Sequence, residues 1–229
     1  MNNKILLMVE LQNKLNDATN GKEWVNGITK NNKTINWRRC IYMESAEMID
    51  SFPWKHWKSI EQEPDWHNHQ IEVVDVWHFI ISLVIEESLK QDSSTSLEDI
   101  ADKISNSDSF EKIINNGEYF SDIDTVLENV ENLMRISLSK ESLDLNALIS
   151  EFFELVSISG LNIDSLYRLY VGKNILNQFR QDNGYKNGTY VKIWNNKEDN
   201  VVMKEIWENS SNLTPELLYE ELTKVYMTL

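Results

Sequence analysis

At 229 residues, with 41% hydrophobic and 26% charged side chains, the chain is long enough to bury a substantial core and reads as globular and soluble. A net charge of −15 argues against a general nucleic-acid binder, whose affinity would rest on basic contacts to phosphate. Its one cysteine, Cys40, excludes an internal disulfide, and no uninterrupted apolar stretch reaches membrane-spanning length, so a cytoplasmic location is expected.

Three prolines and seven glycines are few punctuation marks for this length and favour long helices over strands. The start, MNNKILLMVELQNK, has an apolar run too short for a signal core, and Glu10 interrupts it. Ile5, Val9 and Gln12 share one side of an opening helix expected to run to about Thr19, with Asn20-Gly21 as its end. After a polar loop, Trp37–Phe52 reads as a second helix stopped by Pro53. Trp54 to Lys58 reads as an aromatic turn, residues 69–90 as a third, largely buried helix, and 91–96 as a connector.

The middle third predicts three or four amphipathic helices around 97–115, 122–139 and 144–158. Gly160-Leu-Asn is read as a break, and Asp164 as the N-cap of a helix ending near Arg180. Asn183-Gly184 and Asn187-Gly188 mark a turn-rich loop. Helices near 198–209 and 215–227 complete the pattern, with Thr214-Pro215 opening the last one. The expected architecture is all-α, a single domain over residues 1–229 without repeats or a flexible linker.

Two acidic pairs stand out because of their surroundings. Glu44-x-x-Glu47 lies in CIYMESAEMI and Glu72-x-x-Asp75 in IEVVDVWHFIISLVI, a stretch with 11 of 15 apolar positions. Carboxylates are costly to desolvate, so four of them in apolar sequence require a reason. Positions i and i+3 share a helical face, so each pair projects two carboxylates in one direction. Two like charges about 4 Å apart repel by roughly 4 kcal/mol at an effective dielectric of 20, so such a cluster takes up protons or gathers cations. An oxygen-rich pocket suits Mg²⁺ better than a softer metal. Most of the other acidic pairs at this spacing lie in polar stretches and read as solvated helix faces. His67 and His69 lack a metal-site partner at convincing spacing, which argues against zinc, and His78 reads as a core histidine.

A basic island interrupts the acidic chain. Residues 172–200 hold five basic and three acidic side chains, a local net of +2 (5 − 3), against −17 for the other 200. Lys173, Asn177 and Arg180 fall at i, i+4 and i+7, along one helical stripe, and Lys186 and Lys192 flank the glycine-containing turn. Arg grips phosphate in a forked geometry and Lys acts as a mobile point charge, so the stripe reads either as a diphosphate or triphosphate clamp or as a solvated face.

Four stretches, Leu11–Asp17, Trp37–Glu47 with Ser51–Lys58, Ile71–Phe79 and Gly172–Asn200, resemble the dimeric all-α dUTPases, relatives of the MazG-type nucleoside triphosphate pyrophosphatases. The most specific is GKNILNQFRQDNGYKNGTYVKIWNNKEDN. The resemblance implies an intracellular homodimer that hydrolyses dUTP, and usually dUDP, to dUMP with Mg²⁺. Its acidic box falls on Glu44, Glu47, Glu72 and Asp75. Gln12 and Asn16 match positions that contact the nucleoside, and Trp57 matches an aromatic near the base. Lys173, Asn177, Arg180, Tyr185, Lys186, Lys192 and Asn200 match the region that closes over the phosphates. Without the resemblance, Gln12 and Asn16 read equally as a polar helix edge, and Trp57 as a core aromatic.

The expected chemistry is metal-assisted hydrolysis of a phosphoanhydride, with Glu47 orienting water and Lys173, Arg180 and Lys186 meeting developing charge. In the family's pattern water attacks the β-phosphorus. The competing readings are a sibling enzyme acting on another nucleotide such as dCTP, and a non-enzymatic acidic interaction protein.

Overall fold

A computed structural model of the chain describes residues 2–58, 63–115, 117–139, 143–210 and 214–229. It is all-α apart from one minimal hairpin. Helix α1 (Asn2–Asn20) ends at the Asn-Gly step, and a 3-10 turn (Lys22–Asn26) follows. Helix α2 (Trp37–Asp50) opens on Asn36, whose side chain accepts from the Arg39 N–H, and stops short of the expected Phe52. Helix α3 (Trp66–Gln91) begins three residues before the expected 69 because Asp65 caps it by accepting from the Asn68 N–H.

The helical stretch expected over 97–115 holds two helices, which brings the middle third to four. Ser96 and Asp99 form a capping box at the start of α4 (Leu97–Ser105), and α5 (Phe110–Asn115) follows. The intervening Asn106-Ser-Asp-Ser109 is made of residue types with low helix propensity, in keeping with the break. Helices α6 (Ile123–Ser137) and α7 (Leu145–Ile158) are capped by Asp122 and Asp144.

Helix α8 (Ile163–Asp182) corrects one expectation. Its cap is Asn162, whose Oδ1 accepts from the N–H groups of Asp164 (2.9 Å) and Ser165 (3.0 Å), so Asp164 lies inside the first turn and pairs with Lys4. Gly184 and Gly188 take left-handed conformations on either side of the 3-10 turn Tyr185–Asn187. Strands β1 (Ile193–Trp194) and β2 (Lys197–Glu198) form an antiparallel hairpin absent from the sequence reading. Asn195 and Asn196 turn it at positive φ, the geometry of a two-residue I′ loop. Helices α9 (Asp199–Glu208) and α10 (Pro215–Tyr226) close the fold, the latter with Thr214 as its cap.

The chain divides into two compact units, Met1–Tyr167 and Arg168–Leu229, with the boundary inside α8. In the first, α3 is the central helix: α1, α2, α4 and α7 all pack on it. Trp77 lies parallel to Phe152 at 4.7 Å and touches Phe153 at 5.4 Å, an arrangement that buries large aromatic area at the α3–α7 contact. In the second unit Leu176 and Phe179 from α8 join Trp194, Val202, Met203, Leu218 and Leu222. Tyr190 stacks on Tyr226 at 5.3 Å beside this core. Among the described residues no helix is long and apolar enough to cross a membrane.

Candidate active site

Helix α2 packs against α3 more extensively than any other described pair of elements, and this contact unites the acidic pairs. Glu44 on α2 and Glu72 and Asp75 on α3 each offer an oxygen, and the three oxygens lie within 4.8 Å of one another. Glu72 is buried, at 8% exposure, while Glu44 and Asp75 are partly exposed. Their neighbours explain the placement. Ile41, Ser45 and Met48 bury one face of α2, and the near-continuous apolar run of α3 buries most of that helix, so the carboxylates come to the interface as part of well-packed helices.

Three hard carboxylate donors at this separation fit a divalent cation that prefers oxygen, such as Mg²⁺, and offer nothing to a thiophilic metal. Glu47, the fourth acidic residue of the expected box, is exposed on α2 and is not one of the three whose oxygens converge. A cleft of about 620 Å³ elsewhere in the first unit, lined by Asn36, Arg38, Arg39, Tyr42, Met43, Leu138 and Ser139, holds no carboxylate and two arginines, a setting that disfavours a divalent cation.

Gln12 and Asn16 are buried on α1. Gln12 Nε2 donates to Asn16 Oδ1 at 3.1 Å, Asn16 Nδ2 donates to Ser82 Oγ at 2.9 Å, and Ser82 donates to the His78 carbonyl at 2.8 Å. This relay fixes the orientation of two amides against α3. His78 Nδ1 meets the Val74 carbonyl at 2.8 Å, an acceptor-only group, so Nδ1 carries the proton and His78 is a hydrogen-bonded core residue. Trp57 is 63% exposed and lies edge-on to Trp54 at 5.6 Å.

In the second unit, the stripe expected on α8 converges on the start of α9. Arg180 donates from Nε and Nη2 to the two oxygens of Asp199, at 2.8 and 2.7 Å, and from Nη1 to Asn177 Oδ1 at 3.1 Å. Asn200 Oδ1 accepts from both Lys173 Nζ (3.0 Å) and Arg180 Nη2 (3.2 Å). Lys173, Arg180, Asp199 and Asn200 are all buried. Tyr190 Oη donates to Asp199 Oδ2 at 2.7 Å, and burial followed by this carboxylate pushes the Tyr190 phenol well above its usual range. Tyr185 is half-exposed, with the Arg180 guanidinium 6.0 Å from its ring centre. Lys186 is exposed, and Lys192 pairs loosely with Glu198 at 3.5 Å on the surface.

Sequence reasoning missed Asp199 and Tyr190. A buried acid at the head of a helix, 19 residues from an arginine, gives no periodic signal; the nearest clue is that Asp199 adjoins Asn200 within the quoted motif.

The family model described as dUTPase matches residues 4–185, a span that contains Glu44, Glu72, Asp75, Lys173 and Arg180, and the chain belongs to this all-α dUTPase family. It is a dUTP diphosphatase, an enzyme that hydrolyses dUTP. No curated protein matches the chain.

Proposed function

We propose that the enzyme converts dUTP to dUMP and pyrophosphate, accepts dUDP as well, and depends on Mg²⁺ held by Glu44, Glu72 and Asp75. The observation that carries this reading is the convergence of those three carboxylates on adjacent helices of a dUTPase-family chain. When bound, Mg²⁺ supplies charge neutralisation at the phosphate oxygens and a lowered pKa for coordinated water. Glu47 sits one turn from Glu44 on α2 and is exposed, so its carboxylate is accessible to water. It orients the attacking water and accepts its proton at a carboxylate oxygen. By analogy with the family, the attack falls on the β-phosphorus.

Lys173 and Arg180 stabilise charge on the phosphate chain and on the leaving pyrophosphate, with Lys186 and Lys192 as exposed cations that add to the field. Asn177, Tyr185 and Asn200 belong to the same phosphate-binding group. Gln12 and Asn16 read the nucleoside through their ordered amides, and Trp57 offers its exposed ring to the base. These assignments rest on the family resemblance together with the donor chemistry of each side chain. By analogy with the family, residues 1–229 act as a single domain, part of which closes over substrate. The enzyme works as a homodimer in the cytoplasm, and its relationship extends to the MazG-type pyrophosphatases. No nucleic-acid polymer or membrane is a partner.

The test is pyrophosphate release from dUTP with Mg²⁺ and with EDTA, with dCTP, dTTP and UTP as competitors. Hydrolysis of dUTP that EDTA abolishes, and that the competitors do not inhibit, is the expected result. Undiminished turnover in EDTA overturns the metal assignment, and preferential hydrolysis of dCTP overturns the substrate.

A further inference from the structure

We propose that Asp199 is a positioning residue that sets the orientation of the Arg180 guanidinium. The inference rests on the role given to Arg180 above. Arg180 belongs to the span matched by the family, which ends at Tyr185, whereas Tyr190, Asp199 and Asn200 all lie beyond it.

The geometry is that of a fixed fork. A guanidinium has two edges, and Asp199 takes one of them with both oxygens, at 2.8 and 2.7 Å. A two-point contact defines the plane of the group, which a single hydrogen bond does not. Asn177 then holds Nη1, on the same side chain's remaining arm, at 3.1 Å. Asp199 is in turn immobilised. Its side chain is fully buried, Tyr190 donates to Oδ2, and the Asn200 N–H donates to Oδ1 at 2.9 Å.

Asp199 is also the first residue of α9, so the carboxylate sits among N–H groups that favour negative charge. Its own N–H donates to the Lys192 carbonyl at 3.0 Å, which ties the helix start to the hairpin. Below it, Phe179 and Trp194 pack edge to face at 5.7 Å in the shared core of α8 and the C-terminal segment. The guanidinium is thus held by Asn177, Asp199 and Asn200 together. An arginine held this way meets developing charge without reorganising, which is the condition under which electrostatic stabilisation is effective.

The experiment is a kinetic cycle on the full chain with Arg180→Ala, Asp199→Asn and the double variant. Asp199→Asn preserves shape while removing the charge and one acceptor of the fork. It is expected to lower kcat roughly 10- to 100-fold and to change KM less than about threefold, the signature of a misplaced catalytic group. In the Arg180→Ala background the same change is expected to cost less than about twofold, because Asp199 acts only through the arginine. A full loss in that background overturns the proposal, as does wild-type kcat in Asp199→Asn. Wild-type kinetics in Arg180→Ala instead overturns the role of Arg180 and leaves the two failures distinct. Should Asp199→Asn lose its helical circular dichroism, Asp199→Glu, which keeps the carboxylate but displaces it by a methylene, is judged by the same cycle.

Discussion

The imidazole Nε2 of His69 lies 2.8 Å from the Ser159 hydroxyl, joining the first turn of α3 to the residue that ends α7. Both side chains are fully buried, and Phe52 and Trp66 wall the ring at 4.9 and 5.7 Å. Burial lowers the His69 pKa from 6.5 to about 4, so the folded protein keeps this ring neutral where the unfolded chain protonates it. The unfolded state therefore binds more protons between those values, and acid favours it. Stability from this source is complete above pH 6.5, declines as pH falls toward 4 and is gone below that. The full effect is about 3 kcal/mol. Urea midpoints at pH 7 and 4.5 should show wild type losing about 2 kcal/mol more than His69→Gln over that interval. Equal losses in the two proteins would remove His69 as the source.

Divalent metal should stabilise the first unit through the triad. A ligand at 100 times its Kd adds about 2.7 kcal/mol, and for a chain of this size that raises Tm by roughly 5 to 10 °C. Mg²⁺ is expected to produce such a shift in wild type and to lose most of it in Glu72→Gln or Asp75→Asn, since each variant deletes one of three converging charges. Calorimetry with and without EDTA provides the measurement. A shift that persists undiminished in both variants places the ion elsewhere.

Glu47 is exposed and stands apart from the three converging oxygens, so its removal should cost activity and spare the fold. General-base groups contribute about 10²- to 10⁴-fold, and Glu47→Gln is expected to lower kcat within that range. Its Tm without metal should stay within about 2 °C of wild type, because exposed substitutions rarely change stability by more than about 0.5 kcal/mol. Wild-type turnover in this variant would take Glu47 out of the mechanism.

The sequence carried the helices well where their apolar spacing is long and their ends are marked: Asn20-Gly21 after α1 in the first unit, and Thr214-Pro215 before α10 in the second. It placed the acidic pairs on helical faces for the same reason. Spacing along one helix does not, however, fix the offset between two helices, so the pattern could not distinguish Glu47, which faces solvent, from Glu44, which meets α3. Asp164 reads as a cap in the sequence because Asp and Asn both serve there, and only the register of the first turn decides that Asn162 accepts the free N–H groups. The hairpin at Asn195-Asn196 escaped because its strands have only two residues each and its turn lacks glycine. Asp199 was invisible for a different reason: its importance lies in a partner that only folding brings near.

Gly160 offers a test of local packing at the junction between α7 and α8. Its φ of +69° is left-handed, and a Cβ there would come within 2.1 Å of the Phe120 ring. That ring is held edge-on to Trp66 at 4.9 Å, and the flanking backbone is pinned by the Gly160 N–H to the Tyr119 carbonyl at 2.7 Å. Gly160→Ala therefore incurs two costs, about 1 to 2 kcal/mol for the left-handed backbone and a further cost for displacing the ring. The sum is expected to be about 2 to 4 kcal/mol in urea unfolding. Phe120→Ala removes the obstacle, so the glycine substitution should cost only its backbone share in that background. Equal costs with and without the Phe120 ring would show that the backbone alone demands glycine here.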